Sequence, residues 1–488
     1  MTDAVHHLVL QHAARLGDKA ALLDAATGAT ITYRELADGV GRVAAGLAAR
    51  GFGRGDVLAV SSPNLPAYAL AAYGAMAAGG TVTGADPALT GAELATQLAD
   101  AGARLLVTAP PLLARARDAF AAAGGVLTFD DLTGQEHPPV AAQTDPVRDV
   151  AALPYSSGTT GLPKGVELTH AALVANVRQA QAVLGFAEDD VILAVAPFCH
   201  VIGLNLLLTG GLAAGATVVT LPGFELESFL RAVQDRRVTL TVVVPPVVHA
   251  LAGHPLVDRF DLSSLRAVGV GAAPLDAATE QRCAERLGCR VSQGLGMTET
   301  SALIAVSDPD APRRGSVGRP LPGTETRIVD PATGADLGAG RTGELWVRGP
   351  QLMRGYRRRP EETAAALDTD GWLHTGDLCH FDEDGHLYVV DRLKELIKHG
   401  GYQVAPAELE QLLRMHPAVA DAAVVPRPDP AAGEVPVAHV VLRSPASAEE
   451  LLGYVAERVA PFKRLAAITF TPALPRSPTG KLMRQALR

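Results

Sequence analysis

Lysine is scarce in this chain, although lysine and arginine together number 43. Most of the positive charge is arginine, and lysine occurs only at Lys19, Lys164, Lys394, Lys398, Lys463 and Lys481. Where arginine dominates so strongly, the remaining lysines are candidates for sites that need a compact ammonium on a flexible stem. Four of the six lie in the motifs described below.

Several other features are missing, and each absence excludes a class of protein. The four cysteines lack zinc-ligand spacing, and such sparse use in a long chain favours a reducing compartment. The sequence does not begin with a basic segment and a long apolar run, so we expect no signal peptide and a cytoplasmic protein. The most apolar stretch, residues 191–221, is interrupted by proline and glycines, which favours a buried strand–loop–helix region over a membrane span.

The charge balance excludes a further class of partner. A formal net charge of -9 argues against nucleic acid, so a phosphate-bearing ligand must be held by local donors. The 488 residues are 48% hydrophobic and 19% charged, which indicates a globular chain of more than one domain.

The first hundred residues alternate between helical and strand-like patterns. Thr32 and Glu35, and again Thr90 and Glu93, have the spacing of a capping box at the start of a helix. Apolar runs between these helices, such as residues 57–60, predict buried strands. This alternation is typical of a parallel sheet covered by helices.

The pattern changes in the last third of the chain. From Gly343, GELWVRG and HFDEDGHLYVVDR predict a β-rich segment with hairpins, and later residues combine helical segments with apolar strands. We therefore predict an α/β protein. A large N-terminal domain of helix-covered β-sheets with a β-rich subdomain would span residues 1–391, and a small α+β domain residues 392–488.

The strongest functional motif is YSSGTTGLPKG, residues 155–165. It contains four serine and threonine hydroxyls, three glycines and Lys164. Glycines let backbone N–H groups approach phosphate oxygens, hydroxyls donate further hydrogen bonds, and the ammonium balances charge. The Gly-Lys-Ser/Thr ending of the common nucleoside-triphosphate loop is absent. The motif therefore predicts a different kind of polyphosphate-binding loop.

This motif resembles the phosphate-binding signature of the acyl-adenylate-forming superfamily, which includes acyl-CoA ligases, firefly luciferases and nonribosomal adenylation domains. Six more motifs follow in that family's order: GAAPL at 271–275, QGLGMTE at 293–299, GELWVRG at 343–349, GWLHTGD at 371–377, DRLKELIKHGGYQVAPAELE at 391–410 and PRSPTGKLMR at 475–484. The similarity covers essentially the whole chain. The motif at 391–410 is most similar to the branch of 4-coumarate–CoA ligases and luciferases.

The resemblance implies that the chain binds ATP and Mg²⁺. Thr298 would contact the α-phosphate, Glu299 would bind Mg²⁺, and Asp377 would accept hydrogen bonds from both ribose hydroxyls. Leu295 stands where most relatives have a tyrosine over the adenine, which removes a stacking contact worth roughly 0.5–1.5 kcal/mol. The residues implied at the nucleotide are Ser156, Ser157, Gly158, Thr159, Thr160, Gly161, Lys164, Gly271, Ala272, Ala273, Gly294, Leu295, Gly296, Met297, Thr298, Asp377, Arg392 and Gln403.

The resemblance also implies two half-reactions. Lys481, on a mobile small domain, would bridge the substrate carboxylate and ATP and, with Mg²⁺, stabilise the charge that collects around the α-phosphate. Residues 391–394 resemble the hinge of that domain, with Lys394 at the pivot. Lys398 and Gly401 would face the second half-reaction, with Gly401 in the coenzyme A channel. The implied catalytic residues are Lys481, Lys394, Lys398 and His200.

An apolar acyl pocket is also implied. Ile202 and Leu206 stand where coumarate ligases have a tyrosine and a serine near the phenol of their substrate. A ring hydroxyl would therefore lack a partner, which favours a cinnamate-like aryl acid or a medium-chain acid over 4-coumarate. The residues assigned to this pocket are His200, Val201, Ile202, Leu206, Arg266, Gly269 and Leu303.

The sequence leaves three functions open. The first is an acid–CoA ligase, and the second is an adenylating enzyme with another acceptor, such as a carrier-protein phosphopantetheine thiol, an amine or nitrite. The third is a non-catalytic adenylate-binding protein. The presence of Lys164, Glu299, Asp377 and Lys481 together argues against the third.

Overall fold

The computed structural model describes residues 3–120, 125–133, 137–138, 140, 142–156, 163–273, 275–308, 312–399, 402–430, 432–476 and 482–487. Its strands are β1 (Ala20–Asp24), β2 (Thr30–Thr32), β3 (Val57–Ser61), β4 (Thr81–Ala85), β5 (Ala103–Thr108), β6 (Gly125–Thr128), β7 (Val150–Ala152), β8 (Tyr155–Ser156), β9 (Lys164–Thr169), β10 (Val191–Ala194), β11 (Thr217–Thr220), β12 (Leu240–Val243), β13 (Ala267–Val270), β14 (Arg290–Leu295), β15 (Ala305–Val306), β16 (Arg319–Pro320), β17 (Glu325–Val329), β18 (Gly343–Arg348), β19 (Gly355–Tyr356), β20 (Leu373–Phe381), β21 (Leu387–Arg392), β22 (Ile397–His399), β23 (Tyr402–Val404), β24 (Val419–Asp429), β25 (Gly433–Leu442) and β26 (Ala467–Phe470).

The helices alternate with these strands over most of the chain. They are α1 (Val5–Leu10), α2 (Ala13–Leu16), α3 (Tyr33–Ala49), α4 (Pro66–Ala77), α5 (Gly91–Ala101), α6 (Leu113–Ala119), α7 (Phe129–Thr133), α8 (His170–Leu184), α9 (Gly210–Ala214), α10 (Leu226–Arg236), α11 (Pro245–Gly253), α12 (Ala277–Leu287), α13 (Pro360–Ala366), α14 (Pro406–Arg414) and α15 (Ala448–Ala456). A π-helix, Ile202–Thr209, precedes α9.

Two large sheets form the N-terminal part of the fold. The first has nine strands in the order β16-β15-β14-β13-β12-β10-β11-β1-β2, and it is parallel from β14 through β1. The second has eight strands, of which β19-β9-β7-β4-β3-β5-β6 are consecutive and β8 pairs with β9. The largest apolar cluster contains residues of both sheets, such as Leu58 and Ile192, so the two sheets share a core.

Two smaller sheets follow in the chain. Strands β17-β18-β20-β21 form an antiparallel sheet, which is the predicted β-rich segment with its hairpin at Gly385. Strands β22 to β26 form a five-stranded sheet with α14 and α15, and its apolar cluster contains only residues between Ile397 and Ile468. The predicted fold class is confirmed, with large helix-covered sheets, a β-rich segment and a smaller α+β unit.

Local sequence signals explain where the helices begin. Thr32 accepts a hydrogen bond from the Glu35 amide while the Glu35 carboxylate accepts one from the Thr32 amide, and Thr90 and Glu93 do the same at α5. Each pair satisfies two N–H groups that an α-helix leaves without internal partners. Both predicted capping boxes are confirmed.

The π-helix lies within the apolar stretch at residues 191–221. Asn205, in its middle, donates hydrogen bonds to the carbonyl oxygens of Leu173 on α8 and Ser301 after β14. π-Helices, whose backbone hydrogen bonds join residues five apart, are rare in proteins. Those that occur are frequently at functional sites. In the part of the chain that the structure describes, no helix combines the length and apolar character needed to cross a bilayer.

Buried histidines attach the first helix to the rest of the fold. The amide of Val5 donates to Nδ1 of His170, and the ring of His6 lies edge-on to that imidazole at 5.8 Å between centroids. Burial lowers the pKa of His6 to about 3 and that of His170 to about 4. Between about pH 4 and pH 6.5, both side chains are therefore neutral in the folded protein. A histidine of the unfolded chain, with a pKa near 6.5, is largely charged in that range.

Docking of α1 should therefore weaken as the pH falls below about 6.5. The unfolded state binds protons that the folded state excludes, so each histidine should lower the opening free energy by about 1.3 kcal/mol between pH 7.5 and 5.5. Hydrogen–deuterium exchange of residues 5–10 at the two pH values measures this loss. His6→Phe removes one titrating ring and should reduce the loss by about 1 kcal/mol. An equal loss in both proteins would contradict the assignment.

Candidate active site

The predicted motifs follow the carboxyl ends of neighbouring parallel strands. Residues 195–201 follow β10, residues 271–273 follow β13, and residues 296–299 follow β14, with β12 between β10 and β13. Because parallel strands all point the same way, these segments meet at one edge of the sheet. Ligands of open α/β sheets bind at this edge.

One glutamine joins two of these motifs. The Oε1 atom of Gln293 accepts from the Leu275 amide at 2.9 Å, and its Nε2 donates to the Leu275 carbonyl at 3.0 Å and to buried Glu280. The GAAPL segment is therefore fixed to the strand that carries QGLGMTE.

The backbone is strained at the same edge. Ala272 has φ +70°, Ser301 has φ +59° and Ala302 has φ +145°, conformations that L-residues with a Cβ rarely adopt. At Gly296 a Cβ would lie 1.6 Å from the carbonyl oxygen of Ala302, so only glycine fits. Strain of this kind collects at functional sites, where the surrounding structure enforces it.

A buried carboxylate and a buried ammonium lie near one tyrosine. Glu299 is 5% exposed and Lys164 is 8% exposed. The Tyr356 hydroxyl donates to Oε1 of Glu299 at 2.9 Å, and Nζ of Lys164 lies 4.7 Å from the centroid of the Tyr356 ring. Carboxylate oxygen is the protein ligand that Mg²⁺ prefers. Glu299 thus fits the magnesium ion that the sequence motif implies.

The hinge region and the strand beside it carry further charged groups that the sequence motifs single out. Lys394 is exposed, and the pKa of its ammonium is lowered by partial desolvation and by the positive charge of Lys164. Asp377 and Arg392, both predicted at the nucleotide, form an ion pair of 2.9 Å between Oδ1 and Nε. Asp391 accepts from the Ala407 amide at the start of α14, and burial raises its pKa to about 6.

Most residues assigned to the acyl pocket lie near the same edge. A Cβ on Gly271 would lie 3.6 Å from Cδ1 of Ile202, and one on Gly294 would lie 3.3 Å from Cδ2 of Leu303. Leu206 and Val201 are buried in the apolar cluster that also contains Leu303. Gly269 is paired with Val242 and Ser292 within the sheet.

His200 lies beside a carboxylate from the second large sheet. Its Nε2 is 4.0 Å from Oδ2 of Asp86, the residue after β4. Burial lowers the pKa of His200, and the charge of Asp86 acts in the opposite direction. A neutral imidazole beside the apolar residues is therefore favoured.

Arg266 lies elsewhere than predicted. It precedes β13 at the amino end of that strand, where its guanidinium pairs with buried Asp190 at 2.5 Å and donates to the Gly185 carbonyl. The ligand edge begins after Val270, about 15 Å further along the strand. Arg266 therefore has a structural ion pair at the opposite edge, and its assignment to the acyl pocket is corrected.

Other predicted residues are less closely grouped or lie outside the described residues. Lys398 is exposed on β22 of the small domain, where its amide donates to Glu434, and Gln403 lies on β23. The structure does not describe Ser157, Gly158, Thr159, Thr160, Gly161, Gly401 or Lys481.

Three residues at this site were not predicted from the sequence. Tyr356 bonds Glu299, Asn205 bonds the carbonyl of strained Ser301, and Asp86 faces His200. Only Asp86 has a local signal, because a polar residue directly after a buried strand is a candidate for the ligand edge.

Comparisons with known proteins agree with this arrangement. The AMP-binding enzyme family matches residues 9–357, and the AMP-binding enzyme C-terminal domain matches residues 408–481. The 4-coumarate–CoA ligase of Pinus taeda is 40% identical over 505 residues, covering 99% of this chain and 94% of that protein.

Solved structures are similar over the whole chain as well. The O-succinylbenzoate coenzyme A synthetase of Bacillus subtilis, in complex with ATP and magnesium, has a TM-score of 0.89 and 31% identity, with 99% of each chain covered. An amide bond synthetase from Marinactinospora thermotolerans has a TM-score of 0.90 and 33% identity, covering 99% of this chain and 98% of that one. This chain belongs to the family of AMP-binding enzymes.

Proposed function

We propose that this chain is an ATP-dependent acid–CoA ligase that works through an acyl-AMP. In the first step a carboxylate oxygen attacks the α-phosphorus of ATP, and the bond to pyrophosphate breaks. In the second step the coenzyme A thiol loses its proton and attacks the acyl carbon, and AMP leaves. ATP provides the free energy of the reaction. The protein therefore has to bind and orient the substrates and to stabilise the charge that develops on them.

The observation that carries this proposal is that Tyr356 joins buried Glu299, which follows the carboxyl end of β14, to the buried ammonium of Lys164. Polyphosphate and metal chemistry needs both signs of charge in a partly dry site. Full-length identity of 40% with a 4-coumarate–CoA ligase supports the same conclusion.

We assign the individual roles from the motifs that this chain shares with the family, and the burial of Lys164 and Glu299 supports two of them. Lys164 binds phosphate oxygens, Thr298 contacts the α-phosphate, and Glu299 binds Mg²⁺, as its buried carboxylate allows. When bound, Mg²⁺ neutralises charge on the phosphates. Asp377 and Arg392 bind the ribose, and Lys481 acts during adenylation.

The acid is an aryl acid of the cinnamate type or a medium-chain acid. Ile202 lies beside Gly271, and Leu303 lies beside Gly294, so apolar side chains flank the nucleotide motifs. An apolar pocket binds rings and alkyl chains and penalises hydroxyl groups that find no partner. A conjugated aryl acid and a medium-chain acid share this apolar character.

A second candidate keeps adenylation and changes the acceptor. The similarity to an amide bond synthetase, 33% identical over nearly the whole chain, favours an amine as that acceptor. Both candidates use the same first step, because an amine and a thiol attack the same acyl-AMP.

Acid-dependent exchange of pyrophosphate into ATP should therefore occur with cinnamate or with acids of medium chain length. The exchange reports the first step alone, so it is independent of the acceptor. AMP release is then measured with coenzyme A, an amine, a carrier protein or nitrite, and coenzyme A should give the fastest release.

The controls separate the candidate functions. Glu299→Gln keeps the shape of the side chain but removes the charge that binds Mg²⁺, so exchange should be lost. Faster AMP release with an amine would favour the second candidate. ATP binding without exchange for any acid would contradict the enzyme proposal.

A further inference from the structure

Tyr356 contacts two buried charged side chains of the candidate site, Glu299 and Lys164. Its hydroxyl donates to Glu299 Oε1 at 2.9 Å, and its ring lies 4.7 Å below the ammonium of Lys164. A phenol is protonated at neutral pH and a carboxylate only accepts, so the direction of this hydrogen bond is fixed. A cation over an aromatic face is attracted by the ring's quadrupole.

The strand that carries Tyr356 is held against the strand that begins with Lys164. Gly355 and Tyr356 pair with Glu167 and Val166 of β9. The Arg357 amide extends this pairing by donating to the Gly165 carbonyl at 2.8 Å. The phenol therefore has a fixed position relative to the phosphate-binding lysine.

Hydrogen bonds of the backbone also fix the segments that carry Glu299 and Tyr356. Glu299 lies in the short 3₁₀ turn Thr298–Thr300, and its carbonyl accepts from the Met353 amide at 2.8 Å. The Tyr356 amide in turn donates to the Thr363 hydroxyl at 2.9 Å. Both ends of the phenol–carboxylate bond are thus attached to the backbone, which holds the carboxylate in one orientation.

We propose that Tyr356 is a positioning residue, which orients Glu299 toward the metal ion of the nucleotide and keeps the Lys164 ammonium in place. The proposal rests on the proposed ATP chemistry. By bonding Oε1, the phenol directs the remaining lone pairs of the carboxylate to a ligand. Partners that orient a metal ligand in this way typically contribute 10- to 100-fold to metal affinity.

The test is Tyr356→Phe, which removes the hydroxyl and keeps the ring beneath Lys164. ATP binding is measured by calorimetry over a series of Mg²⁺ concentrations and also without Mg²⁺. We expect the Mg²⁺ concentration for half-maximal enhancement of binding to rise about 10- to 100-fold. Binding without Mg²⁺ should change less than about 3-fold, because the cation–ring contact remains.

Two more variants separate positioning from general damage. Tyr388→Phe removes another phenol that donates to a carboxylate, that of Asp382 in a hairpin, and should leave the Mg²⁺ dependence unchanged. Tyr356→Leu removes the ring as well, so ATP binding without Mg²⁺ should also weaken. Thermal unfolding of each variant shows whether it has folded.

The outcomes distinguish this inference from the proposed function. Wild-type protein that binds no ATP in the presence of Mg²⁺ would contradict the proposed function. Normal wild-type binding with an unchanged Mg²⁺ dependence in Tyr356→Phe would overturn the role of Tyr356. Equal weakening with and without Mg²⁺ in Tyr356→Phe would also overturn it, since the hydroxyl would then not act through the metal.

Discussion

Replacing Lys481 by alanine should slow acyl-AMP formation about 10²- to 10³-fold, the typical cost of removing one group that stabilises transition-state charge. The carboxylate and the α-phosphate are both negative, so their approach needs a positive charge that Lys164 alone does not supply. Thioester formation from supplied acyl-AMP should continue at nearly the wild-type rate, because no phosphate is attacked in that step.

The residues that flank this lysine have fixed positions in the small domain. Arg476 pairs with Asp421 at 2.6 Å, and Arg484 pairs with Glu410 of α14 at 2.9 Å. Neither of these two ion pairs includes the side chain at position 481.

Lys398→Ala is the matched control, because it removes the lysine assigned to the other half-reaction. It should leave pyrophosphate exchange intact and slow thioester formation. The two steps are measured separately by pyrophosphate exchange and by coenzyme A consumption from synthetic acyl-AMP. Lys481→Ala could instead slow both steps equally. The hypothesis that the small domain takes one orientation for adenylation and another for thioester formation would then be wrong.

Cinnamate should be used about five- to 150-fold better than 4-coumarate, as judged by relative kcat/KM. A hydroxyl buried against Ile202, Leu206 and Leu303 loses its water and gains no partner, at a cost of about 1–3 kcal/mol. Each 1.4 kcal/mol corresponds to a factor of ten in rate. Competition between equal concentrations of the two acids measures the ratio directly.

Two substitutions at one position test the cause of that preference. Ile202→Tyr supplies a phenol partner and should narrow the ratio, whereas Ile202→Phe adds the same ring without a hydroxyl and should leave the ratio unchanged. A wild-type preference for 4-coumarate would contradict the apolar pocket. It would direct attention to Asn205, whose buried Oδ1 has no hydrogen-bond partner within the described residues.

The sequence predicted the elements whose causes are local. Thr32 and Thr90 each cap a helix together with a glutamate three residues later. The apolar run at 57–60 forms a buried strand. Each of these features was predicted from residues that are close together in the sequence. The nucleotide motifs were predicted from their resemblance to a family, and the structure then brought Lys164 and Glu299 together.

The features that the sequence did not predict depend on distant residues. Tyr356 reaches Glu299 because β19 pairs with β9, nearly 190 residues earlier in the chain. Asn205 of the π-helix donates to the carbonyl of Ser301, which lies 96 residues later in the chain. Arg266 was misassigned because its proximity in sequence to GAAPL does not show that it lies at the opposite end of the strand from the ligand edge.

The pairing of β1 with β11 also affects how this chain folds during synthesis. Leu22 pairs with Val218, so one edge of the first strand has no partner until about 200 more residues have been made. At 5–20 residues per second the ribosome needs about 10–40 s for this stretch. An apolar strand with an unpaired edge can associate with other chains during that interval. Slower translation of residues 25–216 therefore lengthens the period in which the nascent chain is prone to aggregate.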